Sequence, residues 1–166
     1  VFSSNYVLYG DMSRRVYDVL HRFSPEIECY SIDESFLGLD GFGQRDLTVY
    51  AQEIRSTVKR WTGISTCVGI GPTKTLAKLA NHAAKKRPIL NGVCDMMDEA
   101  TRHHLMLEIP VDEVWGIGRA TTRKLEAIGV TTVAQLRDLD AKQARRFGTV
   151  VLERTVQELR GLPCLQ

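Results

Sequence analysis

Two adjacent carboxylates, Asp33 and Glu34, lie in the decapeptide Tyr30-Ser-Ile-Asp-Glu-Ser-Phe-Leu-Gly-Leu39, which otherwise reads as a buried β-hairpin. A carboxylate buried without a partner is costly unless it takes up a proton. The pair therefore calls for a basic partner or a hard cation, and Mg²⁺ suits two oxygen donors. The competing reading puts Asp33 and Glu34 at the exposed tip of the hairpin, where they only solubilise a turn. Consecutive strand residues point to opposite faces, so both side chains reach one cation only where the hairpin begins to turn or distort; that placement is expected of Glu34.

A second group of chemistry-bearing residues follows Val68-Gly-Ile-Gly-Pro72. At about 100° per residue, Lys74, Lys78 and Lys85 fall within roughly 40° of one another on one helix, with Asn81 beside them and Leu79, Ala80 and Ala83 opposite. Helical lysines usually form a solvated face. No acidic residue occurs between Gly63 and Asn91 to supply i,i+4 partners, which favours an anion as their counterpart. The free N–H groups at the start of this helix could also take a phosphate. The Gly-Ile-Gly there lacks the further glycine of a dinucleotide fingerprint and the Gly-Lys-Ser/Thr ending of a P-loop, so no nucleotide site is assigned from it.

A second Gly-Ile-Gly stands in Val114-Trp-Gly-Ile-Gly-Arg-Ala-Thr-Thr-Arg-Lys-Leu-Glu-Ala-Ile-Gly-Val130. The pattern predicts a short helix ending at Trp115, a tight turn through Gly116 and Gly118, and a new helix from about Arg119 to Gly129. Such a turn presents backbone N–H groups beside Arg119, Arg123 and Lys124, which can hold a nucleic-acid phosphate without reading a base. It resembles the helix-hairpin-helix motif of DNA repair and replication proteins. Trp115 reads as core.

The elements that must position these residues follow from periodicity. Tyr6, Tyr9, Met12, Val16, Val19 and Phe23 mark an amphipathic helix that stops before Pro25. A strand pair covers 26–32 and 35–39. A second helix runs over 47–61 with Leu47, Tyr50, Ile54, Val58 and Trp61 inward, and Gly63 ends it. Strands at 65–70 and 91–97 flank the lysine-bearing helix at 72–86. The order fits an α+β fold, an antiparallel or mixed sheet covered by helices on one face in the ferredoxin-like manner. Beyond about Met97 the pattern is wholly helical, and a boundary is expected within 98–112.

The chain has 166 residues, 43% of them hydrophobic, enough for one core and a small helical appendage. No apolar run approaches the roughly 20 residues needed to cross a bilayer. Cys29, Cys67, Cys94 and Cys164 are widely spaced, which predicts free buried thiols in a reducing cytoplasm, with neither disulfide nor zinc. The net charge is +2 and uneven: Val114 to Gln166 holds nine Lys/Arg against five Asp/Glu, while the region before it is acidic overall. That suits a metal site followed by a polyanion grip.

Together Tyr30-Ser-Ile-Asp-Glu-Ser-Phe36, the run from Val68-Gly-Ile-Gly-Pro72 to Lys85-Lys86 and Val114-Trp-Gly-Ile-Gly118 resemble the Y-family translesion DNA polymerases, in the branch of the catalytic subunit of bacterial DNA polymerase V and its plasmid-borne relatives. The likeness covers essentially the whole chain. It implies an incomplete ferredoxin-like polymerase palm, residues 1–105, followed by an all-helical thumb with a helix-hairpin-helix, residues 106–166. By that likeness Asp33 and Glu34 are catalytic ligands of two Mg²⁺ ions, replaceable by Mn²⁺, with Asp33 bridging them and Glu34 on the nucleophile's side. Lys85 meets the incoming nucleotide's triphosphate, Lys74 and Lys78 occupy basic positions of the same palm helix, and Gly116 and Gly118 with Arg119, Arg123 and Lys124 follow the DNA backbone.

The likeness also implies error-prone translesion synthesis within the SOS response, in the bacterial cytoplasm near the nucleoid. The implied partners are primer-template DNA, deoxynucleoside triphosphates, accessory polymerase subunits and a sliding clamp, with no membrane. The family's first metal-binding aspartate and its fingers fall before Val1, and its further DNA-gripping domain falls after Gln166. The 166-residue chain alone is therefore expected to be inactive. Two other classes compete: a non-catalytic helix-hairpin-helix DNA-binding module, and a nucleotidyl cyclase-type palm. The cyclase hairpin would carry glycines where Ser31 and Ile32 stand, and would not need the basic tail. His103-His104 reads as a solvated pair, His82 has no ligand at metal spacing, and Tyr6 and Tyr9 read as packing residues.

Overall fold

The computed structural model describes residues 3–165, and its chain divides into two compact units, the division falling between Cys67 and Val68. In the first, α1 (Tyr6–Leu20) starts at Asn5, whose side chain accepts from the Leu8 N–H at 3.0 Å. β1 (Ile27–Cys29) and β2 (Ser35–Leu37) form an antiparallel hairpin with Ile27 opposite Leu37. α2 (Leu47–Thr62) is capped by the Asp46 carboxylate and closed by Gly63 at φ +78°, a left-handed conformation that favours glycine. Its buried side is Tyr50, Ala51, Ile54 and Val58, and the Tyr50 hydroxyl donates to the Phe23 carbonyl at 2.5 Å.

Two expectations for this unit fail. Trp61 is 53% exposed and lies against the Arg22 guanidinium, 4.9 Å from the ring centroid, instead of facing the core. Tyr6 and Tyr9 are 77% and 51% exposed and touch each other edge to face. Only Val19 of α1 is buried. Periodicity gives α1 an apolar stripe, but among the described residues no element covers its first half.

The second unit opens with β3 (Val68–Ile70), α3 (Lys74–Lys86) and β4 (Val93–Asp95), the strands pairing in parallel. A parallel pair needs a crossover, which α3 supplies together with the 3₁₀ turn Pro88–Leu90. The described strands thus make two separate two-stranded sheets, each strand three residues long, rather than one sheet. Leu76, Leu79, Ala80 and Ala83 are buried. A Cβ on Gly69 would lie 2.1 Å from the Asn81 nitrogen and 2.2 Å from the Ala77 carbonyl oxygen, so β3 and α3 touch backbone to backbone.

Four helices complete the unit: α4 (Glu99–Glu108), α5 (Arg119–Glu126), α6 (Val133–Asp138) and α7 (Ala141–Leu159). Thr132 and Gln135 form a capping box on α6. Leu105, Met106, Leu125, Leu136, Val156 and Leu159 form the centre of this helical core. α7 is broken at Thr149, which takes φ +75° and ψ −175° inside it. Among the described residues no helix is long and apolar enough to cross a membrane.

Candidate functional site

The carboxylate pair sits on the loop between β1 and β2. The N–H groups of Tyr30 and Ser31 both donate to the Glu34 carbonyl, at 3.1 and 3.0 Å, and the Ser31 hydroxyl donates to Asp33 Oδ1 at 2.7 Å. Glu34 therefore stands where the ladder gives way to the turn. Both carboxylates are exposed, as the competing reading placed them and against the buried one: the ladder is only three residues long, so the pair falls beyond it. Exposure removes the desolvation argument for a cation. What remains is two hard oxygen donors on consecutive residues of one tight turn.

Among the described residues no group of three or more His, Cys, Asp or Glu converges as a metal cage. The donor set nonetheless fits Mg²⁺, which keeps several waters and is commonly held by one or two carboxylates together with substrate phosphates.

α3 carries the lysine face. Lys74 and Lys78 are half-buried and Lys85 is exposed near the end of the helix. The Lys78 ammonium lies 5.1 Å from the Trp115 ring centroid, a cation–π contact joining α3 to the second Gly-Ile-Gly turn. His82 Nδ1 stands 3.2 Å from Glu113 Oε2, so a carboxylate distant in sequence does face this imidazole. Trp115 is half-buried rather than core.

The start of α3 is not open to phosphate. The Glu158 carboxylate fills it, accepting from the Thr75 N–H at 3.1 Å, while the Thr73 hydroxyl donates to the Glu158 carbonyl at 3.0 Å. The first Gly-Ile-Gly is a strand–helix contact, its glycines leaving room for α3.

The second Gly-Ile-Gly does form a hairpin. A 3₁₀ turn, Val111–Glu113, takes the place of the expected helix up to Trp115, and Gly116 turns the chain at φ +84°. α5 then starts from Gly118, which caps it without a side chain, and ends at Glu126, with Gly129 at φ +81° just beyond. A Cβ at Gly116 or Gly118 would meet nothing within 4 Å, so the backbone is open on that side. Arg119, Arg123, Ile117, Gly118 and Thr122 line a shallow open groove whose edge also carries Asp112 and Glu126. Lys124 is exposed but turns toward α7, donating to the Phe147 carbonyl at 3.3 Å. The base of the hairpin is tied by Val111 N–H to the Thr131 carbonyl and Val133 N–H to the Ile109 carbonyl.

Other residues have local partners. Arg137 Nη1 lies 2.9 Å from His103 Nδ1, and His104 lies 3.4 Å from Glu108. The thiols are not uniformly buried: Cys29 is exposed, Cys67 and Cys164 are half-buried, and only Cys94 is buried. Burial, helped by the charge of Asp95, pushes Cys94 up to about 11. Sequence reasoning missed Glu158, because an acid inside a helical pattern reads as surface.

The impB/mucB/samB family model matches residues 1–82, and the model for the family's helix-hairpin-helix motif matches residues 100–130. The protein UmuC of Salmonella typhimurium is 50% identical over 167 aligned positions, covering 99% of this chain and 40% of that protein. DNA polymerase IV of Corynebacterium diphtheriae is 30% identical, covering 86% of this chain and 31% of that protein. A DinB family error-prone DNA polymerase from Sulfolobus solfataricus shares the fold, with a TM-score of 0.77 at 23% identity over 96% of this chain and 48% of that one. A hairpin bearing paired carboxylates, a lysine-bearing crossover helix and a helical unit with a helix-hairpin-helix all fall within the stretch that these matches cover. The chain belongs to the impB/mucB/samB family, and it spans well under half the length of the curated relatives named.

Proposed function

We propose that the chain is part of a Y-family DNA polymerase that performs error-prone translesion synthesis by two-metal nucleotidyl transfer. The observation that carries this reading is the exposed turn that presents Asp33 and Glu34 side by side in a chain of this family. Divalent cations, when bound, supply charge neutralisation of a triphosphate and activation of a primer hydroxyl.

The chain's own residues do the positioning. Asp33 and Glu34 would hold the ions, and the Ser31 hydroxyl fixes the Asp33 carboxylate in the loop. Lys85, exposed on α3, adds positive charge toward the triphosphate, and Lys74 and Lys78 of the same helix contribute to DNA binding. The open backbone at Gly116 and Gly118, with Arg119, Arg123 and Lys124, holds DNA phosphates without reading sequence. Residues 1–105 serve as palm and 106–166 as thumb. The same reading puts the protein in the bacterial cytoplasm, at the nucleoid during the SOS response, with accessory polymerase subunits and a sliding clamp as partners, and it makes the 166-residue chain alone inactive in primer extension.

Two measurements test it. Titrating Mn²⁺ into the chain broadens the NMR signals of Asp33 and Glu34 first; broadening that starts elsewhere and spares this loop refutes the metal assignment. Replacing Arg119 and Arg123 by Ala weakens duplex binding for every sequence tried and lowers the slope of log affinity against log salt by about 2, one for each phosphate no longer neutralised. A slope unchanged from wild type removes the hairpin from the DNA interface.

A further inference from the structure

Among the described residues Glu158 is the only charged side chain that is fully buried, and nothing in the polymerase reading uses it. Its carboxylate is surrounded by N–H donors. Oε2 accepts from Thr75 at 3.1 Å, and Oε1 accepts from Cys164 at 2.5 Å and Leu165 at 3.1 Å, with the Thr75 side chain adding a further bond. Burial pushes its pKa up, but the backbone bonds from Cys164, Thr75 and Leu165 outweigh that and hold the group below the ordinary carboxylate value. Three pieces of chain converge on this one anion: the first turn of α3, the last turn of α7 and the segment leaving at Cys164–Leu165. Gly161, at φ +88°, makes the turn that brings that segment back.

We propose that Glu158 is a positioning residue, a buried anionic pin that fixes the start of α3, and with it the lysine face, to the last turn of α7 and the returning segment at Cys164–Leu165. An anion at a helix start is favoured by the dipole and by the unfilled N–H groups there. Two links run directly from α3 to the hairpin, Lys78 on Trp115 and His82 on Glu113; both are only partly buried and so worth less than the enclosed carboxylate. Without the pin, α3 samples arrangements in which Lys85 is misplaced. The functional consequence rests on the polymerase reading above. Apparent affinity for the nucleotide falls in proportion to the fraction of molecules with α3 in place, while the rate from the correctly bound state is kept.

The variant is Glu158→Gln, which keeps the volume but turns an NH₂ group toward backbone N–H donors. In the 166-residue chain, amide exchange at Thr75, Cys164 and Leu165 should speed up at least about tenfold, with Ile54 and Leu125 unchanged. Protection within about twofold of wild type at all three overturns the proposal. Should Glu158→Gln not fold, wild type still decides: the three amide shifts must titrate together, with one midpoint below the ordinary carboxylate value, and separate or absent titrations overturn it. In the longer polymerase, Glu158→Gln should raise KM for the nucleotide about tenfold and leave kcat within about twofold. Faster exchange with both constants unchanged leaves only a structural role and also overturns the proposal. If even wild type extends no primer, the polymerase reading fails, while the amide data still judge the pin.

Discussion

On the function proposed above, replacing Asp33 or Glu34 by Ala in the longer polymerase lowers templated primer extension by at least about a thousandfold while leaving duplex affinity within about threefold. The size follows from the chemistry. Phosphoryl transfer asks little covalent help of the protein and depends on cations that neutralise developing charge, so losing a ligand forfeits several kcal/mol in the transition state. The same proposal assigns DNA affinity to other residues, the open hairpin backbone and its arginines. Stability is also spared, because both side chains are exposed on a loop whose backbone bonds, from Tyr30 and Ser31 to the Glu34 carbonyl, do not involve either carboxylate. Circular dichroism and a steady-state extension assay on the same preparations check this. Near-normal extension by either variant would show that the pair is not the metal mount.

Gly69→Ala is expected to unfold the second unit while the first stays folded. The added methyl would stand 2.1 and 2.2 Å from backbone atoms of α3, which cannot rotate away as a side-chain end can, so β3 and α3 must separate. That separation uncovers Leu76, Leu79 and Ala80; overpacking typically costs about 1–3 kcal/mol, and a clash with backbone atoms that cannot give way falls at or beyond the upper end. Gly118→Ala provides the contrast: its φ is −92° and a Cβ there meets open space, so stability should change by less than about 1 kcal/mol. Thermal unfolding of the two variants checks both statements. Equal stability would mean that the backbone contact at Gly69 is not what holds the crossover together.

These two glycines show what was legible in the sequence. Both belong to a Gly-Ile-Gly, and local pattern makes both look like phosphate turns. The second does form the expected hairpin, because its flanking Ile117 and Leu125 are local and bury beneath it. The first is explained only by the Ala77–Asn81 backbone lying against it, an approach that no local spacing displays. The end of α2 was readable for the same local reason, because Gly63 closes it through its own left-handed conformation.

Burial was less readable. Trp61, Tyr6 and Tyr9 have core chemistry but lie exposed, whereas Glu158 has surface chemistry but is buried, because neighbours distant in sequence decide both. The carboxylate pair is found by residue type and adjacency. Type and adjacency leave its exposure open between two readings, and what decides it is a hairpin ladder that stops at Cys29 and Ser35, short of the stretch that the apolar pattern suggests.

The uneven burial of the thiols makes the carboxylate turn open to spectroscopic labelling. Cys29 is exposed, four positions before Asp33, with its sulfur 3.4 Å from the Ser31 carbonyl, whereas Cys94 is enclosed and holds its proton up to about pH 11. Near neutral pH the enclosed Cys94 thiol stays protonated, so a maleimide dye added at low excess reacts with exposed Cys29 well before Cys94. With Cys67 and Cys164 changed to Ser, a single fluorophore would then test in real time whether the proposed ions arrive at the loop, without altering either acid.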